Sequence, residues 1–403
     1  MTDKDPFIPS PALMRGLLTR RTVMQGAAAA GAAAALAACG VKGTSTSSSA
    51  SAKPTTKDMS DVDKLVNWSN WPEYIDVNDT TKTHPTLDEF TKKTGIKVNY
   101  TEDVNDNDEF FAKIRPQLSA GQDTGRDTFC LTDWMASRLI RLGWVQKLDK
   151  ANIPNASNLE DALQNVEFDK GRQYSLPWQS GFTGIAYNPK STGGKKIETV
   201  DQLLNDPSIK GKVTLLTEMR DTVGLIMLAQ GNDPANFTDD QFNQAIAAIQ
   251  KAKDSGQLKG FTGNEYGKGL ASGDIAACFA WTGDVVQLRA DNPDLGYVLP
   301  ATGQMIWSDN FLIPNMAQHK KNAEILINYY YDPAVMAQVE DYVNYISPVK
   351  GSKEILLKSD PTVANNELIF PTAATMANAH VFMGLTADQE TKYNKAFQAV
   401  IGG

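Results

Sequence analysis

The order of strand and helix patterns leaves few folds open to this chain. Runs typical of strands occupy residues 64–68, 96–100, 128–131, 212–216 and 275–280. Amphipathic runs typical of helices lie between them at residues 86–94, 110–118, 135–142, 222–230 and 239–252, and two more follow at 323–331 and 333–343. Strands that alternate with helices form a mostly parallel sheet with helices on its faces. The sequence therefore predicts an α/β protein, and because the pattern restarts after residue 188, it predicts two lobes.

The size and charge of the chain agree with an α/β protein of two lobes and limit the kinds of partner that it can bind. The chain has 403 residues, of which 41% are hydrophobic and 21% are charged, as in a soluble globular protein with two domains. The net charge is -8, and residues 1–38 contain four basic and two acidic side chains, which leaves -10 on the remainder. Phosphate binding requires clustered Lys and Arg, so we expect no nucleic-acid partner.

The N-terminal segment has the pattern of an export signal. Two adjacent arginines, Arg20 and Arg21, precede an Ala-rich apolar run over residues 26–38. A membrane span needs about 20 strongly apolar residues, and this run is shorter. A basic region, an apolar region and small residues at the exit are typical of a signal peptide, and the arginine pair resembles a twin-arginine signal. We predict that residues 1–38 are a signal peptide.

The residues that follow predict a membrane anchor. The sequence Leu-Ala-Ala-Cys at residues 36–39 resembles the lipobox of bacterial lipoproteins, in which the cysteine carries lipid. Residues 40–58 are rich in Ser, Thr, Gly and Ala and have almost nothing to bury, so residues 39–58 are predicted to be a flexible tether. Cys39 would thus hold an exported protein at the outer face of the cytoplasmic membrane, in the periplasm or the cell-wall zone.

The motifs of common enzyme classes are missing from the sequence. The three histidines, His84, His319 and His380, have no Cys or His partner at the spacing of metal ligands. The chain contains no nucleophile elbow, no phosphate-binding loop and no dinucleotide fingerprint after a strand. We therefore predict a protein that is not an enzyme and that uses neither a metal nor a cofactor. Chemistry that needs only a pair of carboxylates, as in a glycosidase, remains open.

Tryptophan and acidic residues recur together where strands are predicted to end. The pairs are Trp71 with Glu73, Trp134 with Asp133, Trp281 with Asp284, and Trp307 with Asp309. The carboxyl ends of strands in α/β lobes face the ligand crevice. An aromatic ring attracts an organic cation by about 0.5–2 kcal/mol, and a carboxylate adds a charge-assisted hydrogen bond. Each pair alone could also be a core tryptophan beside a solvated carboxylate, but four pairs favour a cage for a polyamine.

Longer stretches resemble a known family. They are WPEY at residues 71–74, FTKKTGIKVNYTEDVNDNDEFFAKI, LGWVQKLDKANIPNASNL, YSLPWQSGFTGIAYN, GDIAACFAWTGDVVQ, WSDNFLIP, and the segment from Asp332-Pro333 to Tyr345-Ile346-Ser347-Pro348. Together they resemble the spermidine/putrescine-binding proteins of bacterial polyamine ABC importers, from about residue 65 to the C-terminus. The resemblance implies a two-lobed, type II periplasmic-binding-protein fold with a ligand cleft between the lobes. Lobe one would comprise residues 59–182 and 309–353, and lobe two residues 183–308 and 354–403.

The resemblance also implies a function and a set of ligand contacts. The protein would act as a monomer that captures putrescine or spermidine and delivers it to the membrane permease of an ABC importer. The implied aromatic contacts are Trp71, Tyr74, Trp134, Trp281, Trp307 and Tyr345. The implied polar contacts are Glu73, Asp284 and Asp309, together with Thr132 in the place of a family serine. For a further acidic contact at a helix start, Glu218 and Asp221 are both candidates, and either could instead be the N-cap of that helix.

Two other functions remain open at this point. A protein of the same fold could bind another solute, such as a sugar or ferric iron, although iron favours Tyr and His ligands and the chain has few histidines. A lipid-anchored hydrolase that acts on the cell wall would need a pair of carboxylates in the cleft.

Overall fold

The computed structural model describes residues 56–78 and 80–402, so the predicted signal peptide, the lipidation site at Cys39 and most of the tether lie outside the described residues. Its strands are β1 (Leu65–Asn70), β2 (Lys97–Glu102), β3 (Thr128–Thr132), β4 (Asn165–Val166), β5 (Asp169–Lys170), β6 (Ser175–Tyr187), β7 (Val213–Leu216), β8 (Leu258–Thr262), β9 (Ala277–Trp281), β10 (Gly296–Val298), β11 (Gln304–Leu312) and β12 (Ala379–His380).

The helices lie mostly between these strands, and six of them follow β11. They are α1 (Pro85–Thr94), α2 (Asn107–Ala120), α3 (Asp133–Leu142), α4 (Val200–Asn205), α5 (Met219–Ala229), α6 (Asp239–Asp254), α7 (Tyr266–Ser272), α8 (Thr282–Asp291), α9 (Lys320–Tyr330), α10 (Pro333–Val343), α11 (Ser352–Ser359), α12 (Pro361–Ala364), α13 (Ala373–Ala377) and α14 (Ala387–Ile401). Short 3-10 turns occur at Lys150–Asn152, Pro154–Asn158, Asp161–Leu163 and Pro207–Ile209. Among these helices, none is long and apolar enough to cross a membrane.

One large sheet runs through the described part of the chain in the order β2-β1-β3-β11-β6-β9-β7-β8. Both ends of this path are parallel: β1 pairs with β2 and β3, and β7 pairs with β8 and β9. The middle is antiparallel, because β6 and β11 run against each other and against their outer neighbours. The predicted α/β class is confirmed, with two parallel halves joined by two antiparallel strands.

Strand β6 explains how the two halves are connected. It is 13 residues long, and every one of its residues is buried. Residues 175–183 pair with β11, whereas residues 183–187 pair with β9 in the other half. A strand that is covered on both faces does not show the alternation of apolar and polar residues that marks a half-exposed strand. The sequence patterns predicted β1, β2, β3, β7 and β9, whereas this central strand, β8 and β11 were missed.

Local signals in the sequence set the ends of several helices. Helix α1 ends at Gly95, which adopts a left-handed φ of 72°, and its N–H bonds to the carbonyl of Thr91. Helix α10 begins as predicted: Asp332 accepts a hydrogen bond from the N–H of Ala334, and Pro333 occupies the first helical position. Helix α10 ends at its C-cap Asn344, and the next residue, Tyr345, lines the cleft described below.

Candidate functional site

A cleft of about 1180 Å³ contains almost all of the residues that the sequence singled out. Its walls include every predicted ligand contact except Glu73: Trp71, Tyr74, Thr132, Trp134, Glu218, Asp221, Trp281, Asp284, Trp307, Asp309 and Tyr345. Three sets of these residues lie where strands end, as the sequence predicted. Trp71 follows β1, Thr132 and Trp134 span the end of β3, and Trp281 ends β9.

Glu73 lies outside the cleft. Its backbone adopts a left-handed φ of 55°, and its side chain is exposed. The carboxylate accepts a hydrogen bond of 2.9 Å from the hydroxyl of Tyr342. Trp71 and Tyr74 line the cleft, but Glu73, which the sequence predicted as a ligand contact beside them, does not.

Five aromatic rings form a continuous wall of the cleft. Trp71 contacts Trp281 with 6.0 Å between the ring centroids, and Trp281 contacts Trp307 at 6.2 Å. Tyr345 then contacts Trp307 at 5.6 Å and Tyr74 at 5.0 Å. Most of these contacts are edge-to-face, an arrangement that is favourable for aromatic pairs. This wall is apolar and rich in π-electron density, so it suits a ligand with methylene groups and positive charge.

Asp309 sits in this wall at an irregular point of strand β11. The register with β6 shifts between Asp309 and Asn310, and such bulges turn side chains toward functional sites. The carboxylate accepts hydrogen bonds of 2.8 Å from the Tyr74 hydroxyl and 2.7 Å from the Thr132 hydroxyl. Burial raises its pKa to about 7. The prediction that Trp307 and Asp309 follow a strand end was wrong, because β11 continues to Leu312.

Asp284 is a second carboxylate of the cleft, half-buried in the first turn of α8. It accepts hydrogen bonds from Tyr345 at 2.5 Å, Tyr266 at 2.6 Å and Asn264 at 2.8 Å. Burial raises its pKa to about 6, although these three donors act in the opposite direction. Sequence reasoning missed Tyr266 and Asn264, because neither belongs to a pair of an aromatic and an acidic residue at a strand end.

Glu218 and Asp221, the two candidates at a helix start, both line the cleft but have different partners. Glu218 is the N-cap of α5, because its carboxylate accepts from the N–H of Arg220, and it also accepts from the Trp134 indole N–H at 3.2 Å. Asp221 accepts a hydrogen bond of 2.8 Å from the Trp281 indole N–H. Burial raises the pKa of Glu218 to about 8 and that of Asp221 to about 6.

Arg220 is a cation inside the cleft that sequence reasoning missed. Its guanidinium carbon lies 3.6 Å from the centroid of the Trp134 ring. It forms ion pairs with Glu390 at 3.3 Å and with Glu218 at 3.8 Å. Burial lowers its pKa to about 10, so it stays charged at neutral pH. Because Arg220 stands between Glu218 and Asp221, the sequence could have identified it as a cleft residue. Glu390 lies 170 residues further along the chain, and no sequence signal connected it to this site.

The outer part of the cleft is mostly apolar. The hairpin that contains β4 and β5 contributes Val166 and Phe168, and the segment before α14 contributes Phe382, Met383 and Leu385. Between residues 56 and 402, leaving out residue 79, no cluster of three or more His, Cys, Asp or Glu side chains could hold a metal ion. The charged groups of the cleft are therefore carboxylates and the guanidinium groups of Arg141 and Arg220.

The family model of bacterial extracellular solute-binding proteins matches residues 85–371. The chain belongs to this family. The resemblance expected from the sequence is confirmed, since this solute-binding protein is similar to two curated relatives. It is 28% identical over 294 residues to spermidine/putrescine-binding periplasmic protein 1 of Haemophilus influenzae, covering 73% of this chain and 79% of the relative. It is 27% identical over 292 residues to the spermidine/putrescine-binding periplasmic protein of Escherichia coli, covering 72% of this chain and 81% of the relative.

Solved structures confirm the fold. The spermidine/putrescine ABC transporter substrate-binding protein PotD of Streptococcus pneumoniae superposes with a TM-score of 0.67 at 24% identity, over 84% of this chain and 98% of that one. The predicted two-lobed periplasmic-binding-protein fold is thereby confirmed. Members of this family bind solutes and are not enzymes, so this solute-binding protein works by binding rather than by catalysis.

Proposed function

We propose that this solute-binding protein is a polyamine receptor, which captures putrescine or spermidine and delivers it to the membrane permease of an ABC importer. One observation carries the proposal: two carboxylates, the half-buried Asp284 and the buried Asp309, line the cleft beside the aromatic wall formed by Trp71, Tyr74, Trp281, Trp307 and Tyr345. The names of the curated relatives, which are spermidine/putrescine-binding proteins, support the same ligand class.

An isolated charge costs free energy when it is buried away from water. A carboxylate removed from water without a counter-charge is unstable in its ionised form, which is why burial raises the pKa of both Asp284 and Asp309. An ammonium group of a ligand supplies that counter-charge and forms a charge-assisted hydrogen bond. The aromatic wall covers the methylene groups between the amines and attracts their positive charge. A sugar would provide hydroxyl groups but no counter-charge.

Two lobes that close on the ligand are part of the proposal, with boundaries at residues 182/183 and 308/309. Lobe one then comprises residues 59–182 and 309–353, and lobe two comprises residues 183–308 and 354–403. The pairing of β11 supports the second boundary, because residues 309–312 pair with β3, whereas residues 305–308 pair with β6 but not with β3. The first boundary falls where β6 changes its partner from β11 to β9.

The lipid anchor is also part of the proposal. Export through the signal over residues 1–38 and lipidation at Cys39 would keep the receptor, as a monomer, at the outer face of the cytoplasmic membrane. The tether over residues 39–58 would give it reach to the permease. The support is the sequence pattern alone: an arginine pair, an apolar run and Leu-Ala-Ala-Cys.

Titration calorimetry near neutral pH tests the ligand class. Putrescine or spermidine should bind, and lysine, maltose and ferric citrate should bind far more weakly. Lysine is the most informative comparison, because it carries two amino groups together with a carboxylate that the acidic cleft repels. Absence of binding by every diamine and polyamine at millimolar concentration would contradict the proposed function.

A further inference from the structure

Glu390 lies where three arginine side chains meet, at the edge of the cleft. It belongs to the first turn of α14, and its side chain is 10% exposed. Its Oε1 pairs with Arg138 at 3.1 Å and with Arg220 at 3.3 Å, and its Oε2 pairs with Arg141 at 2.8 Å. Ion pairs between guanidinium and carboxylate groups are strong and directional, so both oxygens of Glu390 are held in place.

Two of these ion pairs join opposite walls of the cleft. Arg138 and Arg141 are on α3, which packs on β3 and β11. Glu390 is on α14, which packs on α6 through the stacked rings of Tyr393 and Phe242, with 4.1 Å between their centroids. With the lobe boundaries proposed above, α3 belongs to lobe one and α14 to lobe two. Among the described residues, both ion pairs that join the two lobes are made by Glu390.

Opening of the cleft would break these two ion pairs and keep others. Arg220 stays with Glu390, because both belong to lobe two, and Arg138 keeps its ion pair with Asp108 at 2.8 Å. Arg141 would lose Glu390, its one ion-pair partner among the described residues. Charges that regain water recover part of the lost attraction, so the open and closed states differ little in free energy. Removal of one partner of a buried pair is costly and would shift this balance toward the open state.

We propose that Glu390 is a positioning residue that holds the cleft closed by drawing α3 onto α14. The carboxylates of Asp284 and Asp309 bind the ligand among aromatic rings, whereas Glu390 is surrounded by guanidinium groups that repel an ammonium. A ligand that needs the closed state loses apparent affinity in proportion to the population of that state. Glu390 thus acts on affinity without contacting the ligand. This inference rests on the two closing lobes of the proposed function.

The test compares dissociation constants and dissociation rates of putrescine and spermidine for the parent protein, Glu390→Gln and Arg141→Gln. Both variants should bind both ligands about tenfold more weakly, mostly through faster dissociation, and the ratio between the ligands should stay that of the parent. Arg141→Gln is the decisive variant. Arg141 lines the cleft, so removal of its positive charge would by itself strengthen the binding of a polyamine.

Lys392→Gln is the matched control on the same helix. It breaks the ion pair of α14 with Asp239 of α6, at 2.6 Å, which lies within lobe two. This variant should bind both ligands with the affinity of the parent. The double variant of Glu390→Gln and Arg141→Gln should lose no more affinity than Glu390→Gln alone, because both changes remove the same contact.

Small-angle scattering measures closure in the absence of a ligand. Without polyamine, Glu390→Gln and Arg141→Gln should each have a larger radius of gyration than the parent. At saturating polyamine, the radius of each variant should equal that of the parent, because the ligand then supplies the free energy for closure. Lys392→Gln should match the parent in both states.

Three results would overturn the role of Glu390. One is parent affinity in both variants, and another is tighter binding by Arg141→Gln, which would show that these charges act on the ligand directly. The third is a changed ratio between the two ligands, which would show that Glu390 contacts one of them. If Glu390→Gln gives no cooperative melting curve, Arg141→Gln decides, because the Arg141 side chain is 41% exposed. If no polyamine binds the parent, the proposed function fails, and an unchanged radius in the ligand-free variants is then the result that overturns this inference.

Discussion

The hydroxyl of Tyr74 donates a hydrogen bond of 2.8 Å to Oδ2 of Asp309, although 235 residues separate the two along the chain. The hydroxyl of Thr132 donates to the other oxygen, Oδ1, at 2.7 Å. A carboxylate can accept about four hydrogen bonds, so these two donors orient Asp309 and leave capacity for a ligand. Tyr74 and Asp309 thereby connect the turn after β1 to the bulge in β11, and both face the cleft.

Replacing Asp309 by Asn tests the proposed role of its charge. The change keeps the size of the side chain and removes the counter-charge of a buried ammonium. Loss of one partner of such a pair costs about 2–5 kcal/mol, or roughly 30-fold to several-thousand-fold in affinity. Calorimetry with putrescine and spermidine measures the loss. Asp294→Asn, at an exposed position, is the matched control and should change affinity little. Asp206 would be a less suitable position for the control, because it is only 8% exposed and forms an ion pair with Lys195. Full affinity in Asp309→Asn would assign Asp309 a structural role.

Ligand affinity should fall as the pH decreases from about 7.5 to 5. The ammonium binds the ionised carboxylate, and burial raises the pKa of Asp309 to about 7 and that of Asp284 to about 6. Aliphatic amines, with pKa values of about 10, stay protonated over this range, so the change comes from the protein. Each group should contribute up to about tenfold per pH unit below its pKa. Calorimetry across this range measures the slope, and an affinity that does not change between pH 7.5 and pH 5 would contradict the assignment.

The stability of the ligand-free protein should change with pH in a related way. Below the ordinary Asp pKa of 3.8, Asp309 is protonated in the folded and the unfolded states, so its contribution to stability is fully present there and does not change with pH. Between this value and about 7, the folded state keeps a proton that the unfolded state has lost, and stability therefore declines as pH rises. Urea unfolding at pH 5 and pH 8 should show a smaller decline for Asp309→Asn than for the parent. Equal declines would mean that Asp309 is ionised in both states.

Gly283→Ala should displace Tyr345 from its place in the aromatic wall. A Cβ atom at this position would lie 2.1 Å from Cε2 and 2.2 Å from Cδ2 of the Tyr345 ring, so the ring must move. Asp284 then loses the hydrogen bond from the Tyr345 hydroxyl, and ligand affinity should fall by about tenfold to a hundredfold. Gly260→Ala is the control, because a Cβ atom there has nothing within 4 Å. If Gly283→Ala binds polyamine as well as Gly260→Ala does, the position of Tyr345 is not important for binding.

Polyamine should stabilise the folded protein and favour the closed cleft. Hydrogen bonds connect residues that are assigned to different lobes. For example, the Thr217 hydroxyl donates to the Asp106 carboxylate at 2.8 Å. A ligand that binds the folded state alone adds about 2.7 kcal/mol at a hundredfold excess over its dissociation constant. Melting temperature should therefore rise with polyamine, and small-angle scattering should show a smaller radius. Tight binding without any rise in melting temperature would be inconsistent with this linkage.

The anchor is tested by changes outside the described residues. Cys39→Ser should prevent lipidation and release the protein from the membrane fraction, and replacing Arg20 and Arg21 by Lys should block export. Fractionation followed by a carbonate wash distinguishes lipid anchoring from peripheral attachment. A Cys39→Ser protein that stays in the washed membranes would show that the lipobox was misidentified.

Local chemistry in the sequence was enough to predict much of this protein. The strand and helix patterns predicted five strands of the sheet and half of the helices described above, because side-chain periodicity and caps such as Asp332 act over a few residues. The pairs of an aromatic and an acidic residue pointed to one wall of the cleft, because at the ends of β1, β3 and β9 the backbone brings consecutive residues to the same edge of the sheet.

Only the tertiary structure decided which residues distant in sequence come into contact. The bulge in β11 directs Asp309 to Tyr74 and Thr132, and the turn after β1 directs Glu73 away from the cleft. The contact of Arg220 with Trp134 and Glu390 joins three separate elements, α3, α5 and α14. No local sequence pattern predicts these contacts. They depend on how the strands of the whole sheet pair and on which charged side chains are buried without a partner.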